Sequence, residues 1–280
     1  MRVPRHAVRI RQENQMRQRA KSPGSRKAPG LKPASRTALV TGGGGGIGRV
    51  AAMEFARAGY RVAVCDRDAE QAGQTVQSLR EAGGEAEAWI TDVGDKDAVR
   101  RLIDGIRERH GRIDAAFNNA GLSACRIPLA DVEEDEWERV MRTNLTGTFL
   151  CMKYEIRAML EQGGGCIVNN SSIVGLGGGF SAPYTATKHG ICGLTKSAAI
   201  AYAQRGVRVN AVCPGLIEAG MGMNVLTRTD PDPSVIIAAA PLNRPGSAEE
   251  VARAVVWLCS DSASYIHGHM LAVDGGYGTR

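Results

Sequence analysis

Apolar residues along this chain alternate between two patterns. Short runs rich in Val, Ile, Ala and Leu occupy 37–41, 61–65, 86–90, 115–118, 166–169, 207–212 and 270–273. Near 47–58, 68–82, 96–110, 132–162, 183–204 and 248–260 the apolar positions instead recur every three or four residues, with charged residues between them. The continuous runs read as strands buried on both faces, and the spaced pattern reads as amphipathic helices. Strands separated by helices of this length predict βαβ crossovers, hence a parallel sheet covered on both sides. The expected fold class is α/β: a doubly wound, parallel seven-stranded sheet in a single domain, with no internal repeat and no second core.

The first 34 residues break the pattern. They hold four prolines, ten Lys or Arg and a lone acid, Glu13, with almost no apolar periodicity. Such a segment cannot bury enough apolar surface to order itself, so 1–34 is expected to be a disordered basic tail and 35–280 the folded domain. Three readings of the tail stay open: an inert or over-extended start, an interaction arm, or a targeting segment. The tail also disposes of the charge argument. A net charge of +6 ordinarily raises nucleic acid as a partner. The tail alone carries +9 and the other 246 residues −3, so no nucleic-acid partner is expected.

Seven scattered cysteines without a C-x-x-C spacing fit a reducing, cytoplasmic setting better than a disulfide framework. No apolar stretch approaches the length of a membrane span, so no membrane partner is expected. The histidines lack metal-ligand spacing, and no metal site is expected. His189 follows Lys188 directly and so points away from it on a helix, which fits a packing role.

The first strand runs into Thr41-Gly42-Gly43-Gly44-Gly45-Gly46-Ile47-Gly48, and a helix follows. A tight strand-to-helix turn needs glycine, and so does close approach of a pyrophosphate to main-chain N–H groups at a helix start. Gly42, Gly46, Ile47 and Gly48 are therefore candidate dinucleotide contacts. Asp66 closes the second strand, where a carboxylate accepts hydrogen bonds from the adenosine ribose hydroxyls and repels a 2′-phosphate. NAD is expected ahead of NADP, with Arg67 taken as a solvated loop side chain. Asp92 and Val93 after the third strand are placed at the adenine edge. After the fourth, Asn119 and Gly121 are placed along the cofactor, and Asn118 is read as a bracket between strands.

Tyr184 and Lys188 stand four apart at the start of a helical segment and so share a face. An unperturbed phenol is a poor base near neutrality, and a nearby ammonium stabilises the phenolate and brings its pKa toward working pH. Upstream, 166–175 is a strand ending in Ser171 and Ser172, and Asn144 lies in Thr143-Asn144-Leu145 within a long helical stretch.

This ordered set resembles the short-chain dehydrogenase/reductase family in its single-domain branch. From Thr37 to Tyr277 the T-G-x-x-x-G-I-G, D-V, N-N-A-G, Asn, S-S, Y-x-x-x-K, P-G and Val273-Asp274-Gly275-Gly276 segments come in the family's order. The resemblance implies a Rossmann-type three-layer α/β/α sandwich, with 35–280 a dinucleotide-binding catalytic domain. It implies Tyr184 as general acid/base, Lys188 as pKa tuner and ribose binder, and Asn144 as holder of a water in a proton relay. For the serine, distance from the tyrosine selects Ser171, whereas place before Ile173-Val174-Gly175 selects Ser172. Strand ends constrain a side chain more than loop length does, so Ser172 is taken to hydrogen-bond the substrate oxygen. Pro214, Gly215 and Ile217 match the family's P-G cofactor segment, but Ala219 stands where a Thr usually clamps the nicotinamide carboxamide. A homotetramer or homodimer is also implied.

The implied activity is hydride transfer between NAD(H) and a secondary alcohol or ketone. The stretches 116–119 and 149–155 further resemble bacterial members acting on cyclic alcohols and diols, chlorinated cyclohexadiene diols among them. The alternatives are an NADP(H)-dependent 3-oxoacyl or other ketone reductase, and a non-catalytic dinucleotide sensor. The four-residue Tyr–Lys spacing disfavours an enoyl reductase. The Gly177–Phe180 loop and 218–245 are expected to border the substrate, with Met221, Met223, Leu226, Ile236 and Ile237 as an apolar wall.

Overall fold

The strand expectations hold to within two residues at every end: β1 (Thr37–Thr41), β2 (Arg61–Asp66), β3 (Ala86–Ile90), β4 (Ala115–Asn118), β5 (Gly165–Asn170), β6 (Val207–Pro214) and β7 (Met270–Val273). They come from a computed structural model that describes residues 36–179, 181–227 and 232–279. The tail expected over 1–34 lies outside the described residues, as do Phe180 and Pro231.

All six strand pairings are parallel, in the order β3-β2-β1-β4-β5-β6-β7. Chain order reverses between β1 and β4, and the carboxyl ends of those two strands open the crevice in which ligands bind in such sheets.

Successive strand residues face opposite layers, as the pleat requires. Ala38 and Val40 pack under helices α1 (Gly46–Arg57), α2 (Ala69–Glu81) and α9 (Ala248–Leu258), with Phe55, Leu79, Val255 and Leu258 filling that layer. Leu39 and Ala116 face the other layer, built by α3 (Lys96–His110), α5 (Gly147–Glu161) and α6 (Ala182–Tyr202), where Ile103, Ile106 and Met159 are fully enclosed. Asp95 caps the start of α3 through its carboxylate, and Gly111 ends that helix at φ 77°.

Two expectations need correction. The helix expected over 132–162 is broken: α4 (Glu134–Val140) gives way to a π-helical turn at Met141–Thr146 before α5 begins. The cause is local. Thr148 donates its hydroxyl to the Asn144 carbonyl, and the Asn144 amide is drawn to the main chain of Leu122, so side chains compete with the helical ladder. The 218–245 segment, expected as a long loop, carries two short helices, α7 (Met221–Leu226) and α8 (Pro233–Ala239).

No described helix is long and apolar enough to cross a membrane. All seven cysteines are free thiols, six of them buried.

Candidate active site

A cleft of 580 Å³ opens at the carboxyl ends of the strands, running from Asp66 and Asp92 past the glycine turn to Ser172 and Tyr184. At its first end the shape is set by main chain. Gly42 sits at φ 62°, and a Cβ on Gly48 would lie 2.0 Å from the Gly42 carbonyl oxygen. The turn therefore closes only if position 48 is glycine. The α1 N-cap is Gly45, which has no side chain to cap the helix, so the first-turn N–H groups are left for an anion.

Asp66 stands where β2 ends. Its carboxylate accepts from Gly44 N–H at 2.9 Å and from Asp68 N–H at 3.1 Å, which fixes it beside Arg67 and Gln71 at the cleft edge. Asp92 also lines the cleft, but its oxygens are held by Gly94 N–H and the Arg142 guanidinium at 2.9 and 2.7 Å. Val93 beside it is packed against Gly147. This end fits a dinucleotide: a side-chain-free cradle at a helix start, with a fixed carboxylate one strand away.

The residues after β4 divide as follows. Asn118 is the bracket expected, donating to Asn169 Oδ1 at 3.1 Å and to Glu155 Oε2 at 2.9 Å. Asn119 lines the cleft, yet its amide is engaged as a second bracket. It donates to the Thr41 and Gly42 carbonyls at 3.1 and 3.2 Å and accepts from Asn170 at 2.9 Å. Gly121 borders the cleft beside Asn144. Pro214, Gly215 and Ile217 form the wall opposite; a Cβ on Gly215 would stand 3.0 Å from the Asp274 main chain. Ala219 lines the cleft too, with its methyl against the core.

At the other end the shape is set by side chains. Tyr184 is the third residue of α6, and Lys188 lies one turn below it, 2% exposed. The Lys188 ammonium donates to the Asn170 carbonyl at 2.7 Å and lies 5.2 Å from the centre of the Tyr184 ring. Ser172 and Tyr184 line the same end of the cleft, and the Ser172 hydroxyl accepts from Val174 N–H at 3.3 Å. Ser171 is turned into the core, donating to the Lys188 carbonyl at 2.9 Å beside Cys192. Asn144 is fully buried; its amide donates to the Leu122 carbonyl at 3.0 Å and accepts from Leu122 N–H at 2.7 Å.

Burial pushes the Tyr184 phenol up to about 12, with the nearby Ser172 hydroxyl acting the other way. Burial also lowers the Lys188 ammonium to about 8. Lowering of the phenol by the ammonium is therefore not what the protein groups produce by themselves. The ammonium lies over the ring and is bonded to a carbonyl, and both groups bear the cost of desolvation.

The apolar wall differs in part from expectation. Met221, Val225 and Ile236 line the cleft, whereas Met223 is exposed on α7. Sequence reasoning missed Asn170, whose carbonyl holds Lys188, as well as Leu122 and Arg126 in the wall. Nothing in a linear motif marks a main-chain carbonyl that will accept from a lysine; Asn170 was legible only as the residue next to a strand end. His189 is turned back on the Thr185 carbonyl and away from Lys188, but it is exposed and does not take the packing role expected of it. Among the described residues no group of His, Cys, Asp and Glu could hold a metal ion.

A family model described as enoyl-(acyl carrier protein) reductase matches residues 43–278. The cis-4-hydroxycyclohexanecarboxylate dehydrogenase of Sinomonas cyclohexanicum is 41% identical over 250 residues, covering 87% of this chain and 97% of that protein. The 2,5-dichloro-2,5-cyclohexadiene-1,4-diol dehydrogenase of Sphingobium indicum is 38% identical over 244 residues, covering 86% and 96%. Among solved structures, a variant of actinorhodin polyketide ketoreductase with NADPH superposes with a TM-score of 0.84 at 37% identity, covering 90% of this chain and all of that one.

Proposed function

We infer the chemistry of the cleft from one premise: the chain belongs to the short-chain dehydrogenase/reductase family, and it is an NAD(P)-dependent oxidoreductase of the alcohol dehydrogenase or ketone reductase type. We propose that Tyr184 is the acid–base group and that Ser172, Lys188 and Asn144 serve it. One observation carries this: Ser172 and Tyr184 line the same end of the cleft, with a buried ammonium beside the Tyr184 ring whose position is fixed by the Asn170 carbonyl.

In the oxidation direction Ser172 holds the substrate oxygen, and the Tyr184 oxygen takes the hydroxyl proton as the carbinol hydride leaves. A bound oxidised nicotinamide supplies the hydride acceptor and a positive ring beside the phenol. Lys188 is assigned to the ribose and, together with the positive charge that the bound cofactor would add, to holding the phenolate, since the ammonium does not lower the phenol by itself. Asn144 fixes Leu122 in the wall and is assigned the relay water that resupplies the proton. Reduction of a ketone runs the same steps in reverse.

For the cofactor, Gly42, Gly46, Ile47 and Gly48 are assigned to the pyrophosphate, and Asp66 to the adenosine ribose. Asp92 and Val93 are assigned to the adenine edge, Asn119 and Gly121 to the middle of the dinucleotide, and Pro214, Gly215 and Ile217 to the nicotinamide. The main-chain clamp on Asp66 supports NAD, since a fixed carboxylate repels a 2′-phosphate. NADP is the second reading, favoured by the similarity to an NADPH-bound ketoreductase. Cyclic secondary alcohols or diols are the proposed substrates, on the similarity to dehydrogenases of two ring alcohols and the apolar wall of Met221, Val225 and Ile236.

We further propose that 35–280 is the catalytic domain, that it forms a homotetramer or homodimer, and that it works in the cytoplasm. Light scattering checks the assembly. The function is tested by initial rates over a panel of cyclic and open-chain secondary alcohols, each with NAD and with NADP. Turnover of ring alcohols with NAD is expected. Turnover of no alcohol or ketone on the panel would contradict the assignment, and a preference for NADP would overturn the role given to Asp66.

A further inference from the structure

Glu155 has no part in the chemistry just described, yet it is the one carboxylate among the described residues that is wholly withdrawn from solvent, at 0% exposure. It projects from α5 beneath the carboxyl ends of β4 and β5. One donor reaches it: Asn118 Nδ2, 2.9 Å from Oε2. Its other oxygen, Oε1, is buried without a partner, and no ion pair to it forms among the described residues.

The facing groups are neutral or acidic. They are Asn118 on β4, Cys65 on β2, and Cys151 one turn back on α5; Asp66 follows Cys65. An ionised carboxylate here would be a buried charge with no cation and with one bare oxygen, which proteins avoid by protonation. Burial accordingly raises the Glu155 carboxyl to about 7.

From Glu155 a run of side chains leads to the catalytic helix. Asn118 also donates to Asn169 Oδ1, Asn169 Nδ2 donates to Thr195 Oγ at 2.9 Å, and the Thr195 hydroxyl donates to the Ile191 carbonyl at 2.8 Å. Ile191 lies one turn beyond Lys188. Asn118 and Asn169 also immediately precede Asn119, which brackets the glycine turn, and Asn170, whose carbonyl holds the Lys188 ammonium.

We propose that Glu155 works as an uncharged carboxylic acid, a positioning residue that sets both strand ends and, through Thr195, the helix that presents Tyr184 and Lys188. The proposal rests on the assignment of Tyr184 and Lys188 to catalysis, but its stability arm does not.

The test compares the wild-type protein with Glu155→Gln and Glu155→Leu. Gln keeps an uncharged group of the same shape, so kcat stays within about threefold of wild type. Leu takes away one of the two acceptors of the Asn118 amide and leaves that N–H buried and unpaired; kcat falls about 10- to 100-fold while KM and cofactor Kd stay within about threefold. The thermal midpoint gives an arm independent of activity. The carboxyl's folded pKa lies above its unfolded value, so between about pH 5 and 7 only the unfolded chain gives up the proton. Across that window the wild-type midpoint drops relative to Glu155→Gln by at least about 3 °C, and the gap is constant above it.

Parallel midpoint curves for wild type and Glu155→Gln overturn the proposal, as does a folded Glu155→Leu protein with wild-type kcat. If the Leu variant does not fold, the Gln comparison still decides. An inactive wild-type enzyme whose midpoints diverge as stated would sink the proposed function and leave the uncharged acid standing.

Discussion

At the β1–β2 end of the cleft, main-chain groups set the shape; at the β5–α6 end, buried side chains do. Gly42, Gly45 and Gly48 make a cradle by having no side chain, and even Asp66 is held by two peptide N–H groups. Tyr184 and Lys188 are instead placed by Ser172, the Asn170 carbonyl and the asparagine brackets below them. The glycine cradle of the first end is thus intolerant of volume and indifferent to pH, because peptide groups do not titrate. The second is sensitive to protonation, because its groups are ionisable and desolvated.

The largest effect that could break this contrast is at Gly48. In Gly48→Ala the new methyl would meet the Gly42 carbonyl oxygen at 2.0 Å and the Asn119 amide at 2.6 Å, so the turn must open. Cofactor affinity should weaken at least about 100-fold, measured by fluorescence titration, with little change in its pH dependence. Near-normal affinity would mean that the cradle is not closed as described.

A smaller effect sharpens the contrast at Asp66. Asp66→Ser removes the fixed negative charge but keeps a short polar group, and should lower the NAD:NADP ratio of kcat/KM by about 10- to 100-fold. An unchanged ratio would show that the carboxylate clamped by Gly44 and Asp68 does not read the 2′ position. The smallest effect concerns the junction of the two ends. Ala219→Thr supplies a hydroxyl in the cleft wall near Ile217, and one added hydrogen bond of about 1 kcal/mol tightens cofactor binding about fivefold. Weaker binding would place the carboxamide elsewhere.

The same contrast governs what the sequence made legible. The glycine turn and Asp66 were readable because closeness of main chain leaves a direct residue signature. The five inner strands were readable because parallel strands buried on two faces are continuous apolar runs, and the partly buried edge strands β3 and β7 through their places in the alternation with helices. Tyr184 and Lys188 were readable through helical spacing. Ser172 was separable from Ser171 only by where the strand stops, and the hydroxyl of Ser171 indeed points to the Lys188 carbonyl inside the core. What was not legible depends on contacts between distant segments. The π-helical turn at 141–146 arises because Asn144 is pulled toward Leu122, 22 residues earlier, which no local pattern encodes. The helices within 218–245 are short, and the residues that line the cleft there, Met221, Val225 and Ile236, follow no single period. That Asn119 is also a bracket was hidden because its partners, the Thr41 and Gly42 carbonyls, come from a distant part of the chain.

The central claim is that Tyr184 moves the proton while the rest of the cleft binds. Single-turnover reduction of NAD by the best alcohol of the panel, compared between wild type and Tyr184→Phe at saturating cofactor, tests it most directly. The account predicts hydride transfer slowed about 1,000-fold or more, with cofactor affinity within about threefold of wild type. Full-rate hydride transfer in Tyr184→Phe would contradict it.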